Sequence, residues 1–279
     1  MQISRDIKID GSHGRPITID VFYTSSGIAK PVIVFSHGFK SFKDWGAFNE
    51  TGRYFARKGF IFIKFSFSHN GTTPEHPCDF VDLEAFGNNN FTIELDDLDA
   101  VIDWAVNTKE ISAEEKNTNE IYLAGHSRGG GISILKAAED NRVKKLATWA
   151  AVNDFAKGWP DPLLKTWKEK GVWEVENKRT HQLMPLYYQL VENYFANKAR
   201  LDIAEAVKRI NIPWLILHGT DDETVPFNQA VEMKQWNPNA KLDLIPGGTH
   251  TLGGKHPFDG TLSFDLETVF RLTAEFFKK

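Results

Sequence analysis

The chain has 279 residues, 33 Lys and Arg against 37 Asp and Glu, a formal net charge of -4 and 41% hydrophobic residues. That balance is ordinary for a globular protein and gives no electrostatic reason to bind nucleic acid or an anionic membrane surface. A single cysteine, Cys78, excludes an internal disulfide and points to a reducing, cytoplasmic setting; no apolar run reaches the length of about 18 residues that a membrane span needs, and the N-terminus has no apolar signal core.

In chain order, Ile3, Ile7 and Ile9, then Ile17, Ile19 and Val21, alternate with polar residues around Gly11-Ser12-His13-Gly14. This predicts an antiparallel hairpin at a sheet edge. Pro31 to Ser36 is an unbroken apolar run, as expected of a strand covered on both faces, and it opens into His37-Gly38-Phe39. Trp45, Phe48 and Phe55 predict a helix ending near Gly59, followed by a buried strand from Phe60 to Phe65 and a polar loop from Ser68 to about Asn90. Phe91, Leu95, Leu98, Ile102 and Ala105 recur every three or four residues, a helical stripe. Four further apolar runs read as strands: Ile121 to Ala124, Leu146 to Val152, Pro213 to Leu217 and Leu242 to Ile245. Leu266, Val269, Phe270, Thr273 and Phe277 stripe a closing helix. The alternation predicts an α/β fold: a mostly parallel sheet with an N-terminal antiparallel hairpin and helices on both faces.

Residues 154–200 break the rhythm. They show no clear strand and hold Phe155, Trp159, Trp167, Trp173, Tyr187, Tyr188, Tyr194 and Phe195. We read them as a helical lid inserted over the strand ends, with residues 1–153 and 201–279 as the core domain; a longer packed crossover is the plainer alternative. Active sites in such sheets lie at the carboxyl ends of the strands. Trp159 in the insertion, and His69 beside Asn70 at a strand end, are the side chains expected to contact substrate.

The stretch that carries chemistry is Gly125-His126-Ser127-Arg128-Gly129, between a buried strand and a helical pattern with Ile132, Leu135 and Ala138. Gly-x-Ser-x-Gly in that context fits a sharp turn that presents the serine at its tip, with glycines letting strand and helix backbones pass closely. It is neither a P-loop, since no Lys-Ser or Lys-Thr follows, nor a dinucleotide site, since the Gly-x-Gly-x-x-Gly spacing is missing. A serine needs a base, and the base a partner that orients it. Two later strands run into His218-Gly219-Thr220-Asp221-Asp222-Glu223-Thr224-Val225-Pro226 and Gly247-Gly248-Thr249-His250, an acid and then an imidazole in the required order.

On these motifs, together with His37-Gly38-Phe39, the chain resembles the α/β-hydrolase superfamily from about Ile33 through the C-terminal helix. Within it the resemblance is to the dienelactone-hydrolase-like and serine-aminopeptidase-like branch, which includes feruloyl and cinnamoyl esterases. The resemblance implies Ser127 as nucleophile, His250 as base and Asp222 as orienting acid. Asp221 stays open beside Asp222, Asp154 is a weaker rival, and His256 is the alternative to His250. The backbone N–H groups of Phe39 and Arg128 are the expected oxyanion donors. The Arg128 guanidinium either meets a substrate carboxylate or forms a structural ion pair.

The implied activity is hydrolysis of small or aromatic carboxylic esters through an acyl-enzyme, with a small-molecule ester as the only partner expected and no cofactor. A thioesterase or aminopeptidase of the same fold, or a silent relative acting as ligand receptor or scaffold, are the alternatives. His69, His76 and Cys78 have no zinc-like spacing, so no metal is expected. Haloalkane- and epoxide-cleaving relatives carry a carboxylate where Ser127 stands. Oligomeric state is not legible in the sequence.

Overall fold

A computed structural model describes all of residues 1–279. The strands and helices run β1 (Gln2–Asp10), β2 (Pro16–Tyr23), β3 (Lys30–Ser36), α1 (Phe48–Arg57), β4 (Ile61–Ser66), α2 (Leu83–Asn88), α3 (Phe91–Asn107), β5 (Lys116–His126), α4 (Arg128–Glu139) and β6 (Val143–Trp149). The chain continues with α5 (Asp161–Lys170), β7 (Val172–Asn177), β8 (Gln182–Tyr187), α6 (Gln189–Ala196), α7 (Lys198–Leu201), α8 (Ile203–Arg209), β9 (Trp214–Gly219), α9 (Asn228–Trp236), β10 (Lys241–Ile245) and α10 (Phe264–Lys278).

Eight strands form one sheet in the order β1-β2-β4-β3-β5-β6-β9-β10. The β1–β2 and β2–β4 pairs are antiparallel, and every pair from β4 to β10 is parallel. The unbroken apolar runs follow from burial on both faces. Val32 and Val34, Ile61 and Ile63, Ile121 and Leu123, and Trp214 and Ile216 face one core with α3, α4, α8 and α9. Their neighbours Ile33 and Phe35, Phe62, Tyr122 and Ala124, and Leu215 and Leu217 face the other, closed by α1 and α10. Period-two geometry assigns successive residues to opposite faces, so neither face tolerates a polar residue without a partner. Caps mark several helix starts: Asn90 accepts from the Ile93 N–H at 3.0 Å, and Ser263 from the Leu266 N–H at 3.1 Å.

One polar exception sits inside β4. Lys64 is fully buried, and its ammonium donates to Asp20 Oδ2 and Asp44 Oδ1 at 2.7 Å each and to the Lys43 carbonyl at 2.8 Å. Lys43, also buried, meets Asp20 at 3.0 Å, Asp44 at 2.5 Å and Asp6 at 2.7 Å. The two ammoniums are thus held by two shared carboxylates with a third at the margin, the only arrangement in which burying such charges is affordable.

The structure departs from the sequence reading in the insertion. Residues 154–200 are not all helical: α5 is followed by the antiparallel hairpin β7–β8, paired from Val172↔Tyr187 to Asn177↔Gln182. The signal was present in β8, where Leu183, Met184, Pro185 and Leu186 alternate exposed, buried, half-buried and buried, but the density of aromatics obscured it. The hairpin is tied to the 80–92 segment by Gln182 to the Phe80 carbonyl, by Tyr187 Oη to Glu84 and by Gln189 to the Gly87 and Asn89 carbonyls. Smaller differences are that Trp45 precedes α1, that the polar loop before Asn90 holds the short α2, and that β6 stops at Trp149.

Candidate active site

At the end of β5 the backbone turns sharply into α4. Ser127 has φ 56° and ψ -122°, a conformation that costs a non-glycine residue on the order of 1–3 kcal/mol and persists only where surrounding structure enforces it. The enforcement is close packing. A Cβ at Gly125 would lie 2.5 Å from the Gly129 carbonyl oxygen, and one at Gly129 2.3 Å from that of His37. Here the two motif glycines are required by approach distance rather than by φ. Ser127 N–H donates to the Trp149 carbonyl at 2.9 Å, and the Ser127 carbonyl accepts from Gly130 and Gly131.

The loops after β9 and β10 deliver the other two groups. A Cβ on Gly219 would lie 2.1 Å from the Gly248 oxygen, so the two loops cross only because side chains are absent there. Asp221 N–H donates to the Gly248 carbonyl at 3.0 Å and Gly247 N–H to Thr220 Oγ1 at 2.8 Å, which fastens the crossing. Across it, Ser127 Oγ donates to His250 Nε2 at 3.0 Å, and His250 Nδ1 donates to Asp222 Oδ2 at 2.8 Å. Asp222 is fully buried through its side chain. Burial alone would raise its carboxyl, but hydrogen bonds from His218, His250 and the Val225 N–H outweigh it and hold the carboxyl far below its usual range. A hydroxyl, an imidazole and an ionised carboxylate in that line can move a proton off the hydroxyl and stabilise the imidazolium that results.

Other imidazoles set the stage. His218 Nε2 lies 2.8 Å from the Val225 carbonyl and 3.2 Å from Asp222 Oδ2. Both are acceptors, so that nitrogen carries the proton and steadies the acid. His126 Nε2 donates to the His250 carbonyl at 2.8 Å; burial, then the neighbouring His250, lowers its pKa to about 3, so it stays neutral. His37 is lowered to about 4, chiefly by burial; its Nδ1 donates to the Gly38 carbonyl and its Nε2 accepts from the Phe67 N–H, fixing the loop that carries Phe39. A Cβ on Gly38 would lie 3.1 Å from that of Ser127, so the Phe39 backbone approaches the serine closely. Arg128 begins α4, where a first-turn N–H has no partner within the helix.

The expected residues divide as follows. Ser127, His250, Phe39 and the chain around Arg128 come together, and Asp222 rather than Asp221 meets His250; Asp221 is exposed and bonds Thr220. Asp154 instead accepts from Tyr194 Oη, and His256 Nδ1 accepts from the Gly46 N–H. The Arg128 guanidinium pairs with Glu94 at 3.4 Å and lies 4.0 Å over the Phe39 ring, which makes it a structural ion pair.

Two expectations fail. Trp159 packs among Phe91, Trp167 and Tyr194 and does not line the cleft, because its ring is taken up by that aromatic cluster. His69 bonds Ser68 and stands edge-on to His13 near the first hairpin, away from Ser127. Beside it, the Ser68 N–H donates to the buried carboxyl of Asp97 at 2.7 Å.

Ser127 and His250 open onto a cleft of about 370 Å³ lined also by Phe39, Lys40, Trp45, Lys178 and Arg179. The last two come from the β7–β8 turn, which the sequence reading missed along with the hairpin; Lys40 was legible as the neighbour of Phe39. No group of three or more His, Cys, Asp or Glu side chains is placed to hold a metal ion, and no helix is long and apolar enough to cross a membrane.

The BD-FAE family model matches residues 20–237. A Mycoplasma genitalium protein classed by name as an esterase/lipase is 26% identical over 84% of this chain and 89% of its own length. The bifunctional esterase/perhydrolase DCH of Acinetobacter calcoaceticus is 42% identical, but over 53 residues only, 19% of either chain. The structure of Est1E from Butyrivibrio proteoclasticus with ferulic acid bound aligns with a TM-score of 0.71 at 21% identity, over 98% of this chain and 100% of that one. At that identity the likeness is one of fold.

Proposed function

The chain belongs to the BD-FAE family and has the α/β-hydrolase fold, and from that premise we propose that it hydrolyses carboxylic esters through an acyl-enzyme formed on Ser127. As Ser127 Oγ attacks the ester carbonyl, its proton passes to His250 Nε2, while Asp222 holds the ring and balances the imidazolium. The carbonyl oxygen becomes an oxyanion facing the N–H groups of Phe39 and Arg128. Collapse breaks the ester C–O bond, and the leaving alkoxide takes the proton from His250. Water then attacks the acyl carbon with His250 as base, releasing the acid and restoring Ser127.

The single observation that carries this reading is the unbroken chain of hydrogen bonds at 3.0 and 2.8 Å reaching a serine held at φ 56°. With Trp159 outside the cleft, only Phe39 and Trp45 offer apolar surface there, which supports a short acyl group or a single flat ring. p-Nitrophenyl acetate and butyrate, and a hydroxycinnamate methyl ester, are the substrates to try. Hydrolysis that disappears in Ser127→Ala, together with fluorophosphonate labelling of wild type alone, is the expected result. A protein that neither turns over an activated ester nor takes the label sinks the reading.

A further inference from the structure

We propose that the cleft prefers esters bearing a carboxylate, selected by Lys40, Lys178 and Arg179 at its mouth. The inference rests on the esterase reading of the same cleft. These three cations stand among twelve lining residues that include no Asp or Glu, in a chain whose net charge is -4. The local sign is therefore opposite to that of the whole molecule.

Two separate elements supply the charges. Lys40 extends from the loop that carries Phe39, and Lys178 and Arg179 form the exposed turn between β7 and β8. Lys40 Nζ donates to the Glu176 carbonyl at 2.9 Å, which brings loop and turn together. Burial, and then the charge of Lys178, lower the Lys40 ammonium below its usual value. Like charges held this close repel, so the arrangement favours an anion that sits between them. Three carboxylates stand just outside the lining: Glu176, which engages His181 at 2.8 Å, Asp79, 3.9 Å from Arg179, and Asp222, which is taken up by His250 at 2.8 Å.

The opposite side of His250 carries the opposite sign. A second depression of about 400 Å³ shares His250 and Thr251 but is lined by Asp221 and Glu223. An anionic ester is repelled from that side and drawn to the basic one. Fields of this kind raise local ligand concentration by about 10-fold or more.

The test uses two matched pairs. In one the charge is on the acyl side: mono-p-nitrophenyl glutarate against its neutral methyl ester. In the other it is on the alcohol side: p-acetoxybenzoate against methyl p-acetoxybenzoate. We expect kcat/KM to favour the anion in at least one pair by about 10-fold at low salt. The ratio should fall toward unity at about 1 M salt, where screening acts beyond about 3 Å, and in Lys178→Gln/Arg179→Gln, whose changes lie in an exposed turn. Equal or better use of the neutral ester in both pairs overturns the proposal, as does a preference that survives both salt and the double substitution. Binding of the same esters to Ser127→Ala separates this inference from the one beneath it. Tighter, salt-sensitive binding of the anion upholds the selection even if wild type turns over neither ester, and equal binding refutes it.

Discussion

Two polar assemblies are built into this fold from similar parts, and they end in different states. Around Lys64, each buried charge faces an opposite one: Asp20 and Asp44 each touch both ammoniums. At Ser127 a carboxylate also steadies a nitrogen base, but the series ends in a hydroxyl exposed to a cleft, on a backbone bent into an unfavourable conformation. A closed network is satisfied within itself; an open-ended one, with its last member strained and accessible, is equipped to react. Ingredients alone do not distinguish them, and perturbed carboxyls occur in both.

The contrast can be broken by substitution. Ser127→Ala should lower kcat by about 10⁴–10⁶-fold with the melting temperature nearly unchanged, by analogy with serine hydrolases generally. Asp222→Asn should cost about 10⁴-fold in kcat, since the amide no longer holds the imidazole in the right tautomer; retained activity would show that the acid is not needed. Lys64→Met reverses the pattern. It leaves Asp20 short of a buried cation, a loss of about 3–5 kcal/mol in stability, read as a melting temperature lower by roughly 10 °C. Its kcat/KM, measured well below that temperature, should stay within a few-fold of wild type. A loss like that of Asp222→Asn would erase the distinction.

The smallest effect sharpens the comparison through pH. Burial, partly offset by hydrogen bonds from Ser68, lifts the Asp97 carboxyl from 3.8 to about 7. Between those values the folded chain holds a proton there that the unfolded chain has released. The contribution of Asp97 to stability is therefore fully present at low pH, falls as pH rises from about 4 to about 7, and then levels off. Asp97→Asn should flatten that part of a melting-temperature profile while leaving the pH dependence of kcat in place. An unchanged profile would mean that the carboxyl is not the group responsible.

The sequence carried much of this molecule because its signals were local and periodic. Unbroken runs such as Val32 to Phe35 announce a strand covered twice, and the spacing of Phe91 to Ala105 announces a helix. The Ser127 turn was legible because sterics leave few residue types able to build it. What escaped depended on pairing across the chain. The β7–β8 hairpin has weak alternation, aromatics on both sides and five Lys, Arg, Glu or Asn residues before and in its turn, so its strands read as part of a helical insertion. Lys64 sits in a run that reads as apolar, and nothing near it in sequence shows that Asp20 and Asp44 wait to receive it. Trp159 and His69 were placed at the cleft by residue type and neighbourhood, but which way a side chain faces was settled by packing against Phe91 and His13.

The separation between Ser127 and His250 has a consequence for biosynthesis. Translation adds about 5–20 residues per second, so the 123 positions between them take roughly 6–25 s to make. Throughout that interval the nascent chain carries the hydroxyl without its imidazole. The serine and the imidazole it bonds in the folded chain thus leave the ribosome as two separate events.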